Sequence, residues 1–275
     1  MRLTQWLNSA SCERSEALAL LEARLKLTRS HILTHGDAPI NPPYLAQLAC
    51  DLTRLQAGEP LAYILGTQAF WRLELTVTPD VLIPRPDTET LVEHALRYIP
   101  KTPGVRLLDL GTGSGAVALA LAQERPLANI TATDASAKAL AVSQHNAARN
   151  HIQNVHFQQG HWQDWYAGLD GQRFDVIVSN PPYIAENDPH LPALQHEPIT
   201  ALTAPDAGLA DLQAIIQGAR QHLHAQGVLL LEHGYDQGAA VRDYLEQNGF
   251  IHIQTHRDLG NNERVTLASI TTQNY

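Results

Sequence analysis

Cysteine is nearly absent from this chain, with Cys12 and Cys50 the only two in 275 residues. Two thiols are too few for a disulfide framework and lack the paired spacing of a zinc site, so a reducing compartment is expected. Long apolar runs are missing as well. The opening "MRLTQWLNSASCERSE" holds no stretch of signal-peptide length, and no later stretch approaches the roughly 18 uninterrupted apolar residues of a membrane span. A cytoplasmic protein without membrane contact is the expectation. Basic residues are in deficit, 19 Lys and Arg against 28 Asp and Glu, for a net charge of -9. That balance argues against a sequence-blind grip on nucleic acid, which depends on clustered cations, though a local basic patch stays open. Histidine, by contrast, is plentiful at fourteen residues, and His31 and His35 stand one helical turn apart. No carboxylate or cysteine cluster accompanies them, so they read as surface or helix-terminus residues and no metal is expected.

What is present suffices for a substantial core. With 44% hydrophobic and 17% charged residues, the chain fits one large domain plus a smaller one. From about residue 4 to 70 apolar residues recur at helical spacing, as in Leu18, Leu21 and Leu25 and again in Leu45, Leu48, Leu52 and Leu55, which predicts a helical N-terminal domain over 1–70. The pattern then changes to alternation in "FWRLELTVTPDVLIP", where Leu73, Leu75 and Val77 share a face, and a hairpin linker over 71–84 is expected. "PRPDTETLVEHALRYI" reads as a turn and a helix, with Asp87 or Thr88 as candidate cap. After "KTPG" the rhythm is strand, helix, strand through "VRLLDL", "NITATD", "VHFQQG", "FDVIVSN", "GVLLLEH", "FIHIQTH" and "RVTLASI". Alternation of this kind predicts, over 85–275, a doubly wound, mainly parallel seven-stranded α/β sheet with helices on both faces. The short "RDLGNNE" suits an antiparallel pair of the last two strands at one edge.

"LLDLGTGSGAVALAL" ends a strand and opens a helix through Gly111, Thr112, Gly113, Ser114 and Gly115. Glycines permit the tight turn and let a ligand approach the backbone, while the helix start offers free amides. The next strand ends in Asp134, at a spacing suited to ribose hydroxyls. Gly111, Gly113 and Ala116 also satisfy the dinucleotide fingerprint, so the loop alone does not choose the cofactor. A plain tight turn with Asp134 as a cap is the simpler alternative; loop and acid together favour a nucleotide-like site. The fourth strand delivers Asn180 of "SNPPYI" at its C-terminal end, where ligands of open α/β sheets bind. The same tetrapeptide at Asn41–Tyr44 precedes a helical pattern, so Asn41 reads as an N-cap and Pro42 as the first helical residue.

"DLGTGSG", Asp134 and "SNPPYI" in this order resemble a class I S-adenosylmethionine-dependent methyltransferase acting on planar nitrogens. "RLQAGEPLAYILGTQAFW" and "LIPRPDTETLVE" narrow the resemblance, over about residues 50 to 270, to the HemK/PrmC family of release factor glutamine N5-methyltransferases. It implies S-adenosyl-L-methionine as cofactor, peptide chain release factors 1 and 2 as substrates through their GGQ loop, and cofactor contacts from Gly111, Thr112, Gly113, Ser114, Gly115, Asp134 and Trp162, with Trp165 as a rival for the last. It also assigns the substrate glutamine to Asn180, Pro181, Pro182 and Tyr183, with Asn180 touching the cofactor too. A monomer that docks its partner on the helical domain and binds no nucleic acid directly is expected.

An amide nitrogen is a poor nucleophile, so positioning must supply much of the catalysis. The Asn180 side-chain oxygen and the Pro181 carbonyl can accept the two amide hydrogens. The prolines add no competing N-H and hold the backbone extended before them, and Tyr183 offers a flat face for stacking. Arg85, Asp87 and Glu89 read as a linking turn with solvated charges, and the proline-bearing stretch 184–205 as a lid or substrate rim. Two other functions remain open on the residues alone: methylation of an adenine or guanine amino group, and a nicotinamide-dependent oxidoreductase or nucleotide-binding module.

Overall fold

The leucines spaced three and four apart near the N-terminus line the inner faces of short helices. The computed structural model describes residues 1–161 and 164–270, and the chain divides into units Met1–Thr67 and Gln68–Tyr275. The first holds α1 (Leu3–Ser9), α2 (Arg14–Leu25), α3 (Arg29–Thr34), α4 (Pro42–Gln56) and α5 (Leu61–Leu65). Leu18, Leu21 and Leu48 are buried with Trp6 and Ile32, and Leu25, Leu45, Leu52 and Leu55 pack around them. Arg24 forks onto Asp51 at 2.6 and 3.0 Å and donates to the Ile64 carbonyl at 2.8 Å, tying α2 to α4 and α5. The first NPPY does start a helix, with Pro42 at the head of α4, yet the Asn41 side chain makes no capping hydrogen bond. His31 and His35 stack at 4.2 Å between ring centroids on the exposed face of α3 and its end.

In the second unit the hairpin comes earlier than 71–84. β1 (Thr67–Phe70) and β2 (Leu73–Thr76) turn through Trp71; the alternating Leu73 and Leu75 belong to its second strand, and the first, "TQAF", carries no apolar alternation to announce it. A 3-10 turn over Pro86–Thr88 then leads into α6 (Glu89–Ala95).

The sheet follows through β3 (Arg106–Leu110), α7 (Ala116–Glu124), β4 (Asn129–Asp134), α8 (Ala137–Arg149), β5 (Val155–Gln159) and β6 (Phe174–Ser179). Next come a small parallel pair, β7 (Ile184–Ala185) and β8 (Thr203–Ala204), the single turn α9 (Pro205–Gly208), and α10 (Ala210–His222). β9 (Leu223–Glu232), α11 (Gly238–Gln247), β10 (Ile251–Arg257) and β11 (Glu263–Ser269) complete it. Strand order is β10-β11-β9-β6-β3-β4-β5. The last two strands are antiparallel neighbours as expected, with β11 wedged between β9 and β10 so that β10 forms the edge.

Period-two alternation sends successive side chains to opposite faces. Leu107, Val176, Val178 and Leu230 join the core on one side, and Leu108, Ile177, Leu229 and Leu231 the core on the other. Register aligns the strand ends: Leu110 lies opposite Thr133 and Ser179, and Ser179 opposite Leu231. Gly111, Asp134, Asn180 and Glu232 therefore emerge along one edge, where strand order reverses about β3. Among the described residues no helix is long and apolar enough to cross a membrane.

Candidate active site

The loop after β3 is built from its own backbone. Gly111 and Thr112 both donate to the Thr133 carbonyl at 2.9 Å, and Gly115 donates to the Thr112 carbonyl at 2.8 Å. Gly113 has φ +56 with nothing among the described residues within 4 Å of where a side chain would begin, so its backbone conformation calls for glycine while the space beside it stays open for a ligand. Beneath the loop, buried Asp109 accepts from the Thr112 hydroxyl at 2.7 Å and the Ala118 amide at 3.2 Å. Burial pushes its carboxyl up to about 7 against those hydrogen bonds. Asn146, wholly buried on α8, donates to the Ser114 carbonyl at 2.9 Å and pairs with both backbone groups of Thr76, joining the loop to the hairpin.

Asp134 faces the same loop. Its Oδ2 accepts from the Gly113 amide at 2.9 Å and its Oδ1 from the Ser136 amide at 2.8 Å. Burial raises its pKa, opposed by those two bonds. Its helix-capping duty is slight, since the cap of α8 is the Ser136 hydroxyl.

Asn180 lies half-buried across the cleft, its Nδ2 donating to the Thr88 hydroxyl at 3.2 Å. Asn180 and Pro182 line a cleft of about 430 Å³ together with Gly111, Thr112, Gly113, Ser114 and Asp134. Pro181 and Tyr183 are not among its described walls. The Tyr183 hydroxyl sits 3.4 Å from Glu232 and its ring packs against the core that holds Leu108 and Ile177, so the stacking face expected of it is turned largely to the protein. Gln237 holds the segment from behind, its Nε2 donating to the Tyr183 carbonyl at 2.9 Å and the Ala207 carbonyl at 3.3 Å while its Oε1 accepts from Gly234 at 2.8 Å.

Trp162 lies outside the described residues. Trp165 walls the cleft beside Gly111, and its indole N-H donates to Asp211 at 3.1 Å.

Arg85, read as part of a solvated turn, is instead a cleft wall and pairs with Glu197, a buried carboxylate that also accepts from the Ile83 amide at 3.0 Å. Glu89 accepts from the Trp71 amide at 2.7 Å, and Asp87 lies 3.8 Å from Arg264. Glu197 belongs to the stretch 184–205, so that connection is pinned to the segment before α6, and its Pro198, Thr200, Ala201 and Thr203 form a rim of the cleft. Thr88, Glu197, Glu232, Gln237 and Asn146 carry no motif signal of their own, although Thr88 lies inside "PRPDTE" and Glu197 inside the 184–205 stretch.

The cleft is acidic. Its walls include the carboxylates of Asp80, Asp109, Asp134 and Asp211 against the one guanidinium of Arg85 among the described residues, which favours a cationic ligand over a pyrophosphate.

Comparison with known proteins agrees with the geometry. Residues 87–200 match the family model described as methyltransferase small domain, and residues 2–66 the PrmC N-terminal domain. The chain is 48% identical over 263 residues to the release factor glutamine methyltransferase of Escherichia coli (strain K12), covering 95% of this chain and 94% of that one. It is 43% identical over 271 residues to the protein of the same name from Aliivibrio fischeri (strain ATCC 700601 / ES114), covering 98% and 94%. Among solved structures, a methyltransferase from Pyrococcus furiosus shares the fold at TM-score 0.55 and 17% identity, over 82% of this chain and 100% of that one. The T. thermophilus 16S rRNA N2 G1207 methyltransferase shares it at TM-score 0.54 and 22%, over 74% and 50%.

Proposed function

This chain belongs to the release factor glutamine methyltransferase family, and from that membership we propose that its cleft holds S-adenosylmethionine on the glycine loop and presents the release-factor glutamine to Asn180. It is a protein-glutamine N5-methyltransferase with release factors as its substrates. The finer proposal is that the glutamine is that of the GGQ loop in release factors 1 and 2, that the enzyme meets them in the cytoplasm as a monomer, and that residues 1–70 dock them ahead of the linker and of the catalytic domain over 85–275. The net charge of -9 supports a protein partner over nucleic acid.

The observation that carries the site assignment is one cleft walled by Asn180 and by Gly111, Thr112, Gly113 and Ser114 of the glycine loop. The residues fit the cofactor. Open space at Gly113, two acceptor oxygens on Asp134 and an excess of carboxylates suit a ligand that carries ribose hydroxyls and positive charge, and suit a pyrophosphate badly. Gly111, Thr112, Gly113, Ser114, Gly115 and Asp134 would hold it. Trp162 is carried in the proposal by the family motif and Trp165 by its place in the wall. When bound, S-adenosylmethionine supplies an electrophilic methyl group on a sulfonium.

The protein's own part is alignment. With Nδ2 engaged by Thr88, the Asn180 oxygen is left to accept one hydrogen of the substrate amide, and the Pro181 carbonyl accepts the other. Both hydrogens held, the nitrogen's lone-pair face points away from the acceptors and into the cleft. Fixing a near-attack geometry of this kind supplies several kcal/mol, up to roughly 7 to 11 in favourable cases. Pro182 keeps the strand end rigid, and Tyr183 serves as an anchor through its hydroxyl.

The test uses S-adenosylmethionine labelled at the methyl group, with a release factor and with its GGQ Gln→Ala variant. Label enters only the former and resists nuclease; equal labelling of both proteins overturns the assignment, and label lost to nuclease would revive the nucleobase alternative. Calorimetric binding of NAD in preference to S-adenosylhomocysteine would revive the oxidoreductase.

A further inference from the structure

An asparagine amide has two faces, and only one orientation of Asn180 can accept a hydrogen bond from the substrate. Two side chains from separate parts of the fold meet behind Asn180 at the end of β6: Thr88 just before α6 and Glu232 at the end of β9. Thr88 and Glu232 are 3% and 1% exposed. The Thr88 hydroxyl donates to Glu232 Oε1 at 3.2 Å and accepts from Asn180 Nδ2 at 3.2 Å.

A hydroxyl has one hydrogen. That hydrogen goes to Glu232 Oε1, which leaves Thr88 with lone pairs alone toward Asn180. The amide must then turn its NH2 to Thr88 and its oxygen to the cleft. Burial raises the Glu232 carboxyl to about 7, while the Thr88 hydroxyl, Arg264 on β11 and the Tyr183 hydroxyl at 3.4 Å on its Oε1 act in the opposite sense. Asp87 adds to the rise that burial causes. The Oε2 atom is buried without a hydrogen-bond partner among the described residues, a cost that a purely structural tie between apolar-packed elements would not call for.

We propose that Thr88 and Glu232 are positioning residues that set the orientation of the Asn180 amide for the substrate nitrogen. The proposal rests on the assignment of Asn180 as acceptor for that nitrogen.

The experiment compares Thr88→Val, Thr88→Ser and Glu232→Gln with Asn180→Ala, measuring kcat and KM for release factor and for S-adenosylmethionine. Valine keeps the shape of threonine and removes the acceptor, and its kcat falls about ten- to hundredfold, the scale of one lost orienting bond. KM for S-adenosylmethionine stays within about twofold, since Thr88 is asked only to orient the amide. Serine restores the hydroxyl and returns kcat to within about threefold of wild type. Glu232→Gln can present either its oxygen or its NH2 to Thr88, so the hydroxyl hydrogen is no longer committed away from the Asn180 oxygen and kcat falls in the same direction, by less than in Thr88→Val.

Valine and serine variants of equal kcat, or a valine variant at wild-type kcat while Asn180→Ala is inactive, overturn the proposal and leave the site assignment standing. Wild-type kcat in Asn180→Ala overturns the site assignment itself. Should Thr88→Val fail to fold, Thr88→Ser and Glu232→Gln decide: wild-type kcat in Glu232→Gln overturns the proposal, and a loss in Glu232→Gln beside recovery in Thr88→Ser upholds it.

Discussion

Replacing Asp134 by asparagine removes a charge and one acceptor oxygen while keeping the shape of the side chain. In the folded protein both carboxylate oxygens accept backbone hydrogens, from Gly113 at 2.9 Å and Ser136 at 2.8 Å. Asparagine has one oxygen, so one of those amides is left facing an NH2. A hydrogen bond to a charged group contributes ~1.5–3 kcal/mol, and this first loss falls on the order of the loop. A second falls on the ligand: the remaining lone pairs of the same two oxygens are the ones proposed to accept the ribose hydroxyls, and the amide keeps only half of them. Together the losses weaken binding by ~2–4 kcal/mol, about 30- to 1000-fold in Kd.

Calorimetry with S-adenosylhomocysteine reads this directly. Burial already holds the Asp134 pKa above the usual carboxylate range, so removing the charge relieves desolvation, and the ligand-free variant loses less stability than the site loses affinity. Urea unfolding checks that second expectation. A variant that binds S-adenosylhomocysteine within threefold of wild type refutes the reasoning, because it would mean that neither the loop nor the ribose depends on the carboxylate.

Three further outcomes are expected. Asn41→Ala costs less than about 0.5 kcal/mol in urea unfolding, below the usual ~1 kcal/mol of a lost N-cap, because Asn41 makes no side-chain capping bond; turnover of the folded enzyme is unchanged. Gly208→Ala lowers both stability, by ~1–3 kcal/mol, and kcat, since φ is +83 there and an added Cβ would lie 2.1 Å from the Tyr183 carbonyl of the second NPPY; wild-type values for both in urea unfolding and turnover would rule this out. Burial pushes the Glu232 carboxyl up from 4.5 to about 7. The native state therefore holds that proton more tightly than the unfolded chain, and its stabilising contribution is full below pH 4.5 and lost as pH rises through 7. Urea unfolding at about pH 5 and pH 8 should show the wild type gaining on Glu232→Gln at the lower pH, and a difference that does not change with pH refutes the shift.

The parts of this protein legible in the residues alone are those whose partners lie close in sequence. The Gly111–Gly115 loop, the strand before Asn180 and the helix after Pro42 each announce themselves within about fifteen residues, because period, proline and glycine act locally. The hairpin is legible only in its second strand, Leu73–Thr76, which alone alternates. The supporting groups are another matter. Thr88 meets Glu232 across 144 positions and Asn180 across 92, and Arg85 meets Glu197 across 112. Nothing in a polar residue's immediate neighbours says which strand end it will face. Pairing of β6 with β9, register included, is what sets Asn180 beside Glu232. The two NPPY segments make the same point from the other side. Asn41 precedes a helix, and its amide makes no capping bond. Asn180 follows a buried strand, and a threonine hydroxyl holds its Nδ2. The tetrapeptide supplies an amide and a rigid backbone in both places, but only at the end of β6 is there a neighbour to give that amide a direction, and direction is what a substrate nitrogen can be aligned against.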